Sequence, residues 1–184
     1  MRPLACGLVL VFALGACGGS GVKMSASPTS EGGRRPVLEV AGSEPSASAR
    51  MVCASEGKQE IAVSVGVDTS RPLVGTWRDH LYSCFYRYGP GQAMTLSVKE
   101  LSNAAETTAY FNMLGTRYGR MRALEGLGQG AYQTRNGSTV VRKDYRVLFV
   151  DDSQLPAQFG KPLSPRQDVS LSVAATIMGC WTGA

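Results

Sequence analysis

A single histidine among 184 residues leaves no raw material for a histidine-rich metal site, and with only five cysteines the chain offers little for a zinc module that reads nucleic acid. No apolar run reaches the about 20 residues that a membrane-spanning helix needs. No Gly-x-Ser-x-Gly sequence is present to place a nucleophilic serine on an elbow. At 18% charged, 8% aromatic and 43% apolar the composition is that of a globular protein, so neither a collagenous nor a wholly disordered chain fits. The formal charge of +5 suits an anionic partner and is modest for a nucleic-acid binder, so no nucleic-acid partner is expected.

What the chain does have begins at its N-terminus. Residues 1–16 carry Arg2 as their only charge and then an apolar stretch from Leu4 to Ala16, the pattern of a secretory signal. The stretch ends in Leu14-Gly15-Ala16-Cys17 and resembles the lipobox of bacterial lipoproteins. That resemblance implies cleavage before Cys17 and transfer to its thiol of a diacylglyceryl group carrying acyl chains such as palmitate. Small residues at 15 and 16 let extended backbone enter a peptidase site, and only a cysteine supplies the thioether. The expected location is therefore the extracytoplasmic face of the cell membrane, held by lipid, where two acyl chains give stable attachment. Nucleotide cofactors are scarce there, and none is expected.

Residues 17–50 read as the acylated cysteine and a disordered tether. About half of residues 18–50 are Gly, Ser or Pro, and none is aromatic. As a coil they would span roughly 30 Å. Residues 51–184 then read as one α+β domain of order α-β-β-α-β-β-β-α, an antiparallel sheet of about five strands with helices on one side. Ser55 is expected to cap a helix ending at Gly66. His80–Tyr88 and the alternating Met94–Lys99 read as strands around Gly89-Pro90-Gly91. Asn103 with Glu106 forms a capping box, followed by the stripe Thr107, Phe111, Leu114 and Tyr118. Asn136-Gly137 marks a hairpin between strands 130–134 and 139–143, and Val147-Leu148-Phe149-Val150 looks like a more central strand. Ser164, Pro165 and Gln167 are the start signals of a last helix whose stripe is Val169, Val173, Ile177 and Cys180.

The runs Tyr82-Ser83-Cys84-Phe85-Tyr86, Leu96-Ser97-Val98-Lys99, Gly126 to Ala131 and Val141 to Asp151 resemble an uncharacterised actinobacterial lipoprotein family with a lipobox, a polar tether and a small α+β domain. The resemblance implies architecture and carries no activity. In the broader group a cysteine near the first helix pairs with one in the first strand. Here Cys6 leaves with the signal and Cys17 goes to lipid, so Cys53, Cys84 and Cys180 remain. A first helix lying against the first strand points to Cys53–Cys84, with pairings to Cys180 still open.

Catalytic constellations are sparse. Asp79 beside His80 would point across a strand from it, Cys180 falls on an apolar stripe that blunts a thiol, and no catalytic residue is expected. Gly126, Gly128 and Gly130 lack the strand-loop-helix setting of a dinucleotide cradle and read as a connection into the sheet. Asp151-Asp152-Ser153 lacks the spaced ligands of a calcium loop, and no metal is expected. Asp144, Asp151, Asp152, Glu100 and Glu125 are each expected where a strand meets solvent. Arg117, Arg120, Arg122, Arg135, Arg142, Lys143 and Arg146 gather in the middle of the chain, with Arg142, Lys143 and Arg146 as the candidate anion-binding patch. Tyr82, Tyr86 and Tyr88 share a strand face with Cys84 and are expected to pack as core. The expected role is a lipid-anchored binding or accessory module of the cell envelope, its partner a membrane, an envelope polymer or a protein. An envelope-acting hydrolase is the alternative.

Overall fold

Cys84 and Phe85 are neighbours in one strand, yet the first is fully buried and the second open to solvent. That contrast is set by an antiparallel sheet with its two faces covered to different extents. The computed structural model describes residues 40–181. The expected signal, Cys17 and the first part of the expected tether lie outside the described residues.

The packed part begins earlier than residue 51. Ser46 caps a single helical turn, α1 (Ala47–Arg50), and Ala49 is fully buried. Ala49 is small enough to seat the turn against the core, a contact that the low aromatic content of the segment hides. A 3₁₀ turn over Met51–Cys53 leads to α2 (Ser55–Val65). Gly66 closes α2 at φ +70, where a Cβ would run into the Lys161 carbonyl. Next come β1 (Gly75–Arg78), β2 (Leu81–Gly89) and β3 (Gln92–Glu100), then α3 (Ala104–Tyr118). Four strands follow, β4 (Arg120–Leu124), β5 (Gly130–Thr134), β6 (Thr139–Lys143) and β7 (Arg146–Gln154). A two-residue pair, β8 (Gln158–Phe159) with β9 (Ser164–Pro165), precedes α4 (Arg166–Cys180).

The sheet has seven antiparallel strands in the order β1-β2-β3-β7-β6-β5-β4, two more than the sequence suggests. β1 is short and mostly exposed, and four of the five residues of β4 are exposed at the other edge, so neither carries a buried apolar face. Asp79 and His80, at φ +50 and +56, form the turn between β1 and β2. His80 is thus a turn residue, and the expected strand start at 80 moves to Leu81.

Helices cover both faces, which corrects the one-sided packing expected from sequence. On one face Cys84, Tyr86, Leu96, Val141, Leu148 and Val150 pack with Ile61 of α2 and Val173 and Ile177 of α4. On the other, Tyr132, Val140 and Val147 pack with Phe111 and Leu114 of α3. The reason lies in β6 and β7, where consecutive apolar residues (Val140-Val141, Val147-Leu148) must be buried on opposite faces. α3 begins with the expected capping box, the Glu106 amide donating to Asn103 Oδ1 at 2.9 Å and the Ser102 amide to Glu106 Oε2 at 3.1 Å. α4 starts one residue later than expected: Ser164 belongs to β9, and Pro165 is a cap without a side-chain hydrogen bond.

Candidate functional site

Two bulges shape one end of the α4 face. In β7, Asp152 and Ser153 together stand opposite Met94, because the register passes from Thr95–Asp151 to Ala93–Gln154. In β4, Met121 is the extra residue between the pairs Arg120–Thr134 and Arg122–Gln133. Bulges re-aim side chains. These two lie at the strand ends nearest the start of α4, beside the β5–β6 turn.

There a recess of about 250 Å3 opens, lined by Arg122, Gln133, Arg135, Asn136, Arg166 and Gln167, with Met121, Thr134 and Gly137 completing its wall. Gln133 holds its shape, since it accepts from Arg122 Nη2 at 2.7 Å and donates to the Gln167 carbonyl at 2.6 Å. Arg166 is braced by the Leu155 carbonyl, 3.1 Å from its Nη1. The Arg135 backbone is pinned by its amide on the Gly119 carbonyl at 2.9 Å. None of the three arginines forms an ion pair with a carboxylate among the described residues. Three guanidiniums without a direct ion pair, at the N-terminal end of a 15-residue helix, make a local positive field that Asp168 in the first turn and the buried Asp152 offset only in part.

Beneath the recess lies a buried polar layer of Gln133, Thr134, Ser138, Thr139, Ser170 and Asp152. Thr139 and Ser170 hydroxyls meet at 2.9 Å, and Ser170 also donates to the Gly137 carbonyl at 2.7 Å. Asp152 is fully buried and accepts from Ser138 Oγ at 3.0 Å, while its Oδ2 has no hydrogen-bond partner among the described residues. Burial pushes its carboxyl up to about 6, against the opposing pull of Ser138 and Arg166.

The residues singled out from sequence distribute differently. Arg142 donates to Thr108 Oγ1 at 2.7 Å and stacks over Phe111 on the α3 face. Lys143, the next residue of the strand, donates to the Trp181 carbonyl at 3.3 Å. Arg146 is buried beside Glu100, Nε to Oε1 3.5 Å, and Ser46 Oγ also donates to that carboxylate. Alternation along β6 and burial on β7 therefore break up the expected Arg142, Lys143 and Arg146 patch. Arg120 stacks over Tyr132 at 4.3 Å. Of the seven mid-chain basic residues only Arg122 and Arg135 enter the recess. Arg166, the third, is distant in sequence, and only the β5–β6 hairpin and the helix start at 166 hinted at its approach. The expectation that Glu100 and Asp152 meet solvent is also corrected.

Cys53 and Cys84 form the disulfide, Cα to Cα 5.4 Å. Cys180 lies half-buried at the end of α4. The Tyr86 hydroxyl donates to the Val52 carbonyl at 2.8 Å inside the core. His80 Nδ1 sits 3.0 Å from the Gly42 carbonyl, and its ring meets Trp77 edge-on. Gly126 and Gly128, at φ +71 and +61, carry the link from β4 to β5, as a connection into the sheet should. No group of three or more metal-ligating side chains occurs among the described residues. No described helix is long and apolar enough to cross a membrane.

A second cleft, of about 360 Å3, runs between α3 and the uncovered β2–β3 half of the sheet, with Leu81, Ser97, Tyr110, Met113 and Phe149 along it. No family model, no curated protein and no solved structure matches the chain.

Proposed function

We propose that the chain is a lipid-anchored module on the extracytoplasmic face of the cell membrane that binds an anionic, phosphate-bearing component of the envelope in the arginine recess. The observation that carries this reading is the set of three arginines, Arg122, Arg135 and Arg166, lining one recess with no carboxylate paired to any of them among the described residues. Guanidinium forks match the planar edges of phosphate and carboxylate, and each charge-assisted hydrogen bond contributes about 1.5–3 kcal/mol. The volume suits a single headgroup or one terminal unit of a polymer rather than a large apolar ligand. The lipobox at Leu14-Gly15-Ala16-Cys17 and the Gly/Ser/Pro tether support the location, because they would hold such a recess near envelope phosphates.

The module acts by binding, and the sequence offers no nucleophile-base arrangement that would favour the hydrolase alternative. Calorimetric titration of the acylated full chain in detergent micelles tests the reading. Inorganic phosphate is used in one arm and short-chain phosphatidylglycerol in the other, against the R122Q/R135Q/R166Q variant. Phosphate binding that the triple variant loses supports the reading, and tighter binding of the lipid identifies a headgroup as the source. Equal titration of wild type and variant overturns it.

A further inference from the structure

We propose that Asp152 is a protonation gate beneath the recess: with its carboxyl neutral the arginines hold an oxyanion, and with it ionised the added negative charge competes for Arg166 and weakens that hold. This rests on the reading of the recess as an anion site.

The placement is what suggests the gate. Gly137 and Gln167 line the recess, and a Cβ built on Gly137 would stand 3.3 Å from Asp152 Oδ2 and 3.5 Å from the Gln167 Cβ. The carboxylate therefore sits directly under the wall, behind a residue that has no side chain. Oδ1 receives Ser138 Oγ at 3.0 Å, and no described donor reaches Oδ2. A buried carboxylate with one oxygen unserved is poorly stabilised when charged, so its proton affinity responds strongly to its neighbours.

Those neighbours are few. Arg166, from α4, favours the ionised form; Asp151, from its own strand, opposes it; and the β5–β6 turn presents the neutral Ser138 and Gly137. Arg166 is at once the cation that steadies Asp152 and a wall of the recess. An oxyanion bound at Arg166 takes up that positive charge and adds a negative one, which drives a proton onto Asp152. By reciprocity the proton must tighten the anion by the same factor. A carboxyl sitting near 6 places the transition between acidic and neutral surroundings.

Sulfate is the suitable ligand for the test, because its own charge stays constant across mildly acidic and neutral pH. The acylated full chain in micelles is titrated from about pH 5 to about pH 7.5, a range that brackets the Asp152 transition. The expected result is sulfate bound about tenfold tighter at the acidic end than at the neutral end, and, by the same coupling, an Asp152 titration midpoint that lies about one pH unit higher once sulfate is saturating. D152N should hold the tight, low-pH affinity throughout, and S138A should move the midpoint upward by removing the donor that favours ionisation. If D152N does not fold, the carboxyl carbon resonance of Asp152 in the wild type gives the same answer, since its midpoint should rise with sulfate. Arginine-dependent sulfate binding that is flat with pH overturns the gate and leaves the recess reading standing. Absence of sulfate binding at every pH overturns both.

Discussion

Gly137 lies over the carboxylate of Asp152, at φ +98, and a Cβ built on it would stand in tight contact, 3.3 Å, with Oδ2. Both conditions select glycine at this point of the hairpin. G137A should therefore cost about 1–3 kcal/mol, because alanine is strained at that φ and its methyl presses on a buried carboxylate. Urea denaturation of the two proteins measures it, and equal midpoints would show that the hairpin has another backbone available.

Asp152 also sets a pH dependence of stability. Its carboxyl is at about 6 in the folded chain, against an ordinary value of 3.8. Between these values the folded state binds more protons than the unfolded one, so this residue's contribution to stability falls as pH rises through the window and is fully lost above about 6. D152N should accordingly stabilise the domain by on the order of 2 kcal/mol at about pH 7 and by nothing at about pH 3.5. Denaturation at the two pH values checks the difference, and an equal gain at both would place the effect elsewhere.

Arg146 belongs to the interior. R146M leaves Glu100 buried without its guanidinium, and stability should drop by about 3–5 kcal/mol. Phosphate affinity in the fraction that remains folded should be unchanged. A variant of normal stability with lost phosphate binding would return Arg146 to the binding surface.

The Cys53–Cys84 bridge spans 31 positions and ties the 3₁₀ turn before α2 to β2. Reduction, or C53A/C84A, should lower stability by about 3–4 kcal/mol through release of the unfolded chain. Denaturation with and without reductant measures this, and coincident curves would mean that the helix layer is held without it.

Anchoring is tested by C17A. The precursor should remain uncleaved at residue 17, and labelled palmitate should no longer be incorporated. Label retained by that variant would move the acylation site elsewhere.

Much of the frame is readable from local chemistry. The Asn103–Glu106 box, the Gly66 terminus, the Asn136-Gly137 hairpin and the Val169, Val173, Ile177 stripe all depend on residues within one or two turns of each other, and they appear where their side chains require. β1 and β4 leave little mark on the sequence because both are short edge strands that bury almost nothing. The second helix layer escaped although Val147-Leu148-Phe149-Val150 encodes burial on both faces; a continuous apolar run marks a strand without naming what covers it. The recess was out of reach for a different reason. Arg122 and Arg135 stand among five other basic residues of the same stretch, and only the sheet order, which brings β5 and β6 beside the start of α4, separates them from Arg142 and Arg146 and adds Arg166. The burial of Asp152 depends on a bulge in β7, which no composition signal announces.

Whether Arg122, Arg135 and Arg166 together hold an oxyanion is read out by the arginine Nε–Hε resonances of the full chain during a titration with inorganic phosphate. Saturable shifts confined to Arg122, Arg135 and Arg166, with the Gln167 and Asp168 amides moving alongside, are the expected result. Shifts centred on Arg142 and Arg146, or shifts spread evenly over all arginines, would contradict it.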